Sequence, residues 1–228
     1  MSVEFVIDAY LEALKKEGSI VGPVFYRLFS KYTKELAAKK AGEKPPEKDG
    51  LEETRRYLIE VCNKKCSTPH DAMVYASNAM AGGVCMAEAY IQGSTGPISR
   101  RIIRASVEDT LNLTGLMEEA GKLDSFTAGN KFVDVITKTI QYFDPSNVSL
   151  TKEVSGDLLF TIDHCPGSEI CNLLKAEGIK RVIGEECQVL SMLGLSVEFL
   201  VKRTSDYTVA SKQLGATDCK MRGMVRVM

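Results

Sequence analysis

Long apolar runs, a surplus of either charge and a ready supply of histidine are all missing from this 228-residue chain. No stretch approaches the roughly 20 apolar residues that a membrane-crossing helix needs. The opening MSVEFVIDAYLEALKKEG carries acids in an amphipathic pattern where a secretion signal would carry an apolar segment. No membrane role is therefore expected, and the cytoplasm is the expected location. A net charge of -1 offers no global attraction for nucleic acid, which is not expected as a partner. There is no Walker-type or dinucleotide glycine pattern, no internal repeat and no low-complexity segment. Histidine occurs only at His70 and His164.

What is present is an ordinary globular balance, 44% hydrophobic and 26% charged, in a chain long enough to bury a substantial core. Seven cysteines, an odd number without an export signal, read as reduced thiols open to metal, redox or nucleophilic chemistry.

The first two thirds read as successive helices. Val3, Phe5, Val6, Tyr10, Leu11 and Leu14 recur near a 3.6 period behind Ser2 as N-cap. A second helix is expected from Pro23 to Ala41, burying Phe25, Leu28, Phe29, Tyr32 and Leu36. GEKPPEKDG, residues 42 to 50, breaks the pattern as a surface linker. LEETRRYLIEVCNKK resumes it, with acids early and bases late as the helix dipole prefers. The helix DAMVYASNAMAGGVCMAEAYIQ is rich in small residues and methionine, which suits close helix packing or an adaptable cavity lining. Two further helices precede the Asp144-Pro145 step.

After Pro145 the period changes. NVSLTKEV and DLLFTID form a hairpin turning at Ser155 and Gly156. Helices are expected over Ser168–Glu177 and Gly184–Val201, and SDYTVASKQ and DCKMRGMVRV make a second hairpin. The expected fold class is α+β: a helical region over 1–146 and a ββααββ antiparallel-sheet unit over 147–228, with helices on one face of the sheet.

The chemistry-bearing residues gather in the second region. Cys165 follows a strand, Cys187 opens the long helix and Cys219 opens the last strand, so all three thiols can meet at one sheet edge. With His164 they form a candidate metal set, for which zinc or iron is the expected ion. Against it, structural zinc sites use short paired loops, and Cys165 and Cys171 lie six positions apart. Cysteine is also a small hydrophobe often found buried. Cys171 is expected on the core face of its helix beside Leu174. Cys62 and Cys66, at i and i+4, share a helix face and are at most two ligands, with His70 beyond. A thiol nucleophile at Cys187 or Cys219 is the enzymatic alternative, whereas His164 and Cys165, as strand neighbours, should point to opposite faces. GSTGPISRRIIR, with Arg100, Arg101 and Arg104, combines a glycine-bounded loop with a helix start and reads as an anion site or as a solvated helix face.

The C-terminal third, from about Asn147 on, resembles the vinyl-4-reductase type of small-molecule-binding domain, often called hydrocarbon-binding. The resemblance lies in DLLFTIDHCP, GEECQVLSMLGLSVEF and VASKQLGATDCKMRGMV. It implies that Cys165 is the cysteine after the strand, Gly194 the glycine within the helix, and Gly215 with Cys219 the closing hairpin. A glycine inside a helix costs about 1 kcal/mol relative to alanine, which a close helix approach or a ligand contact would explain. The implied function is binding of a small, mostly apolar ligand between helices and sheet, with the methionine-rich helix in the lining and a cysteine-ligated metal nearby. A cysteine-dependent hydrolase is the alternative, and a homodimer joined through an apolar helical face is the expected assembly.

Overall fold

A computed structural model describes residues 2–181, 187–215 and 219–228, with the side chains at 18–21 and 181 left aside. Its element order is α1 (Val3–Lys16), α2 (Gly18–Ala41), α3 (Leu51–Lys65), α4 (Pro69–Gln92), β1 (Ser94–Thr95), α5 (Pro97–Leu113), α6 (Ser125–Asp134), β2 (Val148–Lys152), β3 (Leu158–Ile162), α7 (Ser168–Ala176), β4 (Lys180–Arg181), α8 (Gln188–Val201), β5 (Ser205–Leu214) and β6 (Cys219–Val227). The fold class is α+β. The expected helix start at Gly184, and Asp218 as the opening of the last strand, lie outside the described residues.

The chain divides into two compact units, one of Met1–Ile102 with Glu169–Ile183 and the other of Ile103–Ser168 with Gly184–Met228. In the first, the Ser2 cap read from the sequence holds, its hydroxyl accepting from the Phe5 N–H, and Thr68 Oγ1, which was not expected as a cap, accepts from the Asp71 N–H. The core face of α1 turns about Ile7, Leu11 and Leu14 rather than Val6. Gly22, at φ 66°, interrupts α2, so that its continuous helix begins at Pro23, where a fixed φ suits a first turn. Phe25, Phe29, Leu58, Ala76 and Met80 are enclosed in the core shared by α1 to α4.

The most buried helix of this unit is α4. Gly82 and Gly83 let α2 come close: a Cβ at Gly83 would lie 2.0 Å from Thr33 Oγ1, and one at Gly82 would lie 2.6 Å from Leu36 Cδ1. Met73 and Met80 fill space in the core. The helix α7 joins this unit, where Ile170 and Leu174 pack on Cys85. That departs from the expectation that both late helices sit on the sheet. The short parallel pairing of Ser94 with Lys180 and Thr95 with Arg181 was not legible, because two residues carry no periodicity.

In the second unit the sheet runs β2-β3-β6-β5, all antiparallel, as the two hairpins predicted. Gly156, at φ 90°, makes the first turn. Leu158, Phe160 and Ile162 alternate inward along β3, and they share a core with Phe132 of α6 and Leu190, Leu193 and Val197 of α8. Glycine permits this contact too. A Cβ at Gly194 would stand 2.5 Å from the Tyr207 ring, so the glycine inside the helix serves a close approach of α8 to β5.

Candidate functional site

The candidate thiols lie in the core of the second unit. Cys165, just past β3, Cys187, the N-cap residue of α8, and Cys219, the first residue of β6, are all buried in one core cluster. The Cys165 N–H donates to the Cys219 carbonyl at 3.0 Å, which ties the strand end to the strand start. Next to them α6 ends in a π-turn over Val135–Thr139, after which Gln141 takes φ 61°, an uncommon conformation for a residue with a side chain. Tyr142 follows, packed edge-to-face on Phe143. A Cβ at Gly167 would lie 3.3 Å from the Tyr142 hydroxyl and 3.5 Å from the Cys165 sulfur, so this glycine admits both groups. His164 is exposed while Cys165 is buried, so the two do face apart, but both lie past the end of β3 and the exposed Asp163 precedes them. Among the described residues no three His, Cys, Asp or Glu side chains are grouped so as to hold a metal ion.

In the first unit Cys62 is buried and Cys66 half-buried. The Cys62 thiol donates to the Ala72 carbonyl at 3.6 Å, and burial pushes it up to about 12. Burial raises Cys66 as well. His70 is exposed at the start of α4. Cys171 is half-buried, because Ile170 and Leu174 occupy the inward face of α7 in its place.

The glycine-bounded loop at 93–97 leads into the start of α5, and that helix end is already occupied. Glu88, fully buried on α4, accepts from the Ile98 N–H at 2.7 Å, the Ser99 N–H at 3.1 Å and the Ser99 hydroxyl. Its carboxylate takes the place an external anion would have. Arg104 instead pairs with Glu198 and lies over the Phe199 ring. A comparable anchor holds the proline-containing linker, where the buried Lys34 ammonium donates to the carbonyls of Pro46 and Lys48 and to Asp49. Ser30 and Thr54 secure Gly50 beside it. A charged residue on an otherwise apolar helix face was the signal available for Glu88 and Lys34, but its partners are distant in sequence and no pattern names them.

Among the described residues, depressions on the first unit include two of note. One, of about 840 Å³, is rimmed by charge, and three of its cations are engaged: Arg55 by Asp8, Arg56 by Glu53 and Lys15 by Glu12. The other, of about 500 Å³, is a groove among α2, α4 and α7. Leu36, Ala37, Ala79, Ile170, Leu173 and Ala176 give it apolar walls, and Tyr75, Asn78 and Asn172 add polar groups. At the rim Lys40 binds Glu169 at 2.8 Å and lies 5.4 Å from the centre of the Tyr75 ring, while the Tyr75 hydroxyl donates to the Ala37 carbonyl. Gly82 lies beneath, where Leu36 and Leu173 converge. Of the methionine-rich helix, Tyr75, Asn78 and Ala79 line the groove and the methionines do not.

No family model matches the chain, and no curated protein matches it. Similar solved structures are H-NOX domains. The I5F mutant of the T. tengcongensis H-NOX has a TM-score of 0.43 at 11% identity, over 100% of this chain and 97% of its own. A structure from a study of heme distortion in the H-NOX family scores 0.43 at 9%, over 98% and 93%. An oxygen-binding H-NOX domain related to soluble guanylate cyclases scores 0.38 at 9%, over 92% and 94%. These likenesses run the length of the chain and are to H-NOX domains, which overturns the resemblance of the C-terminal third alone to a vinyl-4-reductase type domain. The strand, helix glycine and closing hairpin that suggested it are features any helix-on-sheet unit with a tight contact would share.

Proposed function

We propose that this protein binds a small, mostly apolar ligand carrying one polar end, in the groove of α2, α4 and α7. The observation that carries the reading is the groove itself: about 500 Å³, within the range of small-molecule sites, with apolar walls and a few polar groups gathered at Tyr75, Asn78 and Asn172. The rim lysines and glutamates, Lys39, Lys40, Glu169 and Glu177, balance one another, so the recognised molecule needs no large net charge. The thiol-enzyme alternative is less well supported, since a nucleophilic cysteine works as an exposed thiolate and Cys165, Cys187 and Cys219 are buried among apolar side chains. Metal plays no part in the reading.

Fluorescence titration with 1-anilinonaphthalene-8-sulfonate tests it. Ala79→Phe projects a ring into the groove and should weaken the probe at least tenfold, with the helical circular dichroism retained. Equal affinity in the two proteins would remove the groove from consideration.

A further inference from the structure

The one pair of cysteines close in sequence, Cys62 and Cys66, is not used by the groove. Cys62 sits in the last turn of α3 and Cys66 is its C-cap residue, joined to it by the Cys66 N–H to Cys62 carbonyl bond at 3.0 Å. The Cys62 thiol donates to the Ala72 carbonyl at 3.6 Å, which fixes its direction. The Cys62 residue is 2% exposed, whereas Cys66 is half-buried, so one sulfur is open to a reagent and its neighbour is shielded.

We propose that Cys62 and Cys66 form a redox pair that converts between a dithiol and an intramolecular disulfide by exchange with a low-molecular-weight disulfide. Cβ atoms one helical turn apart lie about 5–6 Å from each other, and a disulfide needs them at about 3.5–4.5 Å. The remaining distance is closed at Cys66, which has already left the helix at φ -97°, ψ 132°. Cys66 is the attacking sulfur, because it is the more exposed of the two and the Cys62 S–H is engaged by the Ala72 carbonyl. Its thiolate attacks one sulfur of the reagent, forming a mixed disulfide and expelling one thiolate. The Cys62 thiolate then attacks the Cys66 sulfur, closes the ring and expels the second. Two protons leave the protein, which is oxidised by two electrons, and the reagent is reduced to two thiols.

Burial holds both thiols above the ordinary range, and the α3 C-terminus disfavours negative charge there, so exchange is slow at neutral pH. Its rate should rise roughly tenfold per pH unit between pH 7 and 9.

The test incubates the full chain with glutathione disulfide, quenches with acid, and maps cysteine peptides after alkylation. The expected product is a Cys62–Cys66 disulfide, two hydrogens lighter than the dithiol. Cys62→Ser should stop at a Cys66–glutathione adduct, and Cys66→Ser should leave Cys62 unmodified. A native chain that stops at the Cys66 adduct would overturn the proposal, and so would oxidation confined to Cys171 or to the Cys165, Cys187 and Cys219 group. Neither result would touch the ligand-binding reading, which is decided by the groove variant.

Discussion

Both units close their cores over glycine, but what faces the glycine differs. In the helical unit a Cβ at Gly83 would meet Thr33 Oγ1 at 2.0 Å and the Thr33 backbone nitrogen at 3.1 Å. In the sheet unit a Cβ at Gly223 would meet Leu190 Cδ2 at 2.4 Å, one at Gly129 would meet Leu150 Cδ2 at 2.5 Å, and one at Gly194 would meet the Tyr207 ring at 2.5 Å. Side-chain ends can swing away, whereas a backbone nitrogen in a packed helix moves only with its helix. At Gly83 the helix-on-helix contact therefore has less slack than the helix-on-sheet contacts, whereas the neighbouring Gly82 faces only the Leu36 and Leu173 side-chain ends.

Gly83→Ala is the sharpest test of that difference. Alanine gains about 1 kcal/mol of helix propensity over glycine. Overpacking against Thr33 should outweigh this, for a net loss of about 2 kcal/mol in urea unfolding. A neutral or stabilised variant would mean that α2 and α4 can part without cost, and the contrast would fall. Gly194→Ala should cost less, about 1 kcal/mol, because only the Tyr207 ring has to turn. Combining it with Tyr207→Leu should cost less than the sum of the two single changes, since both act on one contact.

The same contrast separates what the sequence disclosed from what it did not. Ser2 caps its helix through a hydrogen bond to a group three residues away, so the letters alone located it. The strands of the sheet were legible because Leu158, Phe160 and Ile162 alternate and Gly156 marks the turn. The thiols Cys165, Cys187 and Cys219 are buried in one core cluster, but among the described residues no three metal-ligating side chains are grouped there. The groove was not foreseen, because it needs α7, separated by about 90 residues from Ala79, to leave the sheet and pack on Cys85. Neither was the Glu88 cap on α5, in which a buried carboxylate on α4 already accepts from the N–H groups of that helix start.

Ion pairs extend the comparison at the smallest scale. Each unit has an arginine that binds both carboxylate oxygens of an aspartate: Arg55 to Asp8, at 2.5 and 2.9 Å between α3 and α1, and Arg226 to Asp157, at 3.0 and 2.8 Å from β6 to the residue before β3. In both, the guanidinium holds the aspartate below the usual carboxylate range. A depressed folded pKa adds stability that is fully present above the unfolded value, near 3.9, and is lost as pH falls through the folded value. The melting-temperature gap between the native protein and Asp157→Asn should therefore be constant from about pH 6 to 7 and shrink as pH falls below the unfolded value near 3.9. Asp8→Asn should show the same shape with a smaller gap, because the Asp8 side chain is 45% exposed and that of Asp157 only 10%, which leaves the Asp8 pair more open to screening by water and salt. Equal gaps would mean that the exposure of the carboxylate does not set the strength of these pairs, and that the arginines, exposed in both, decide it instead.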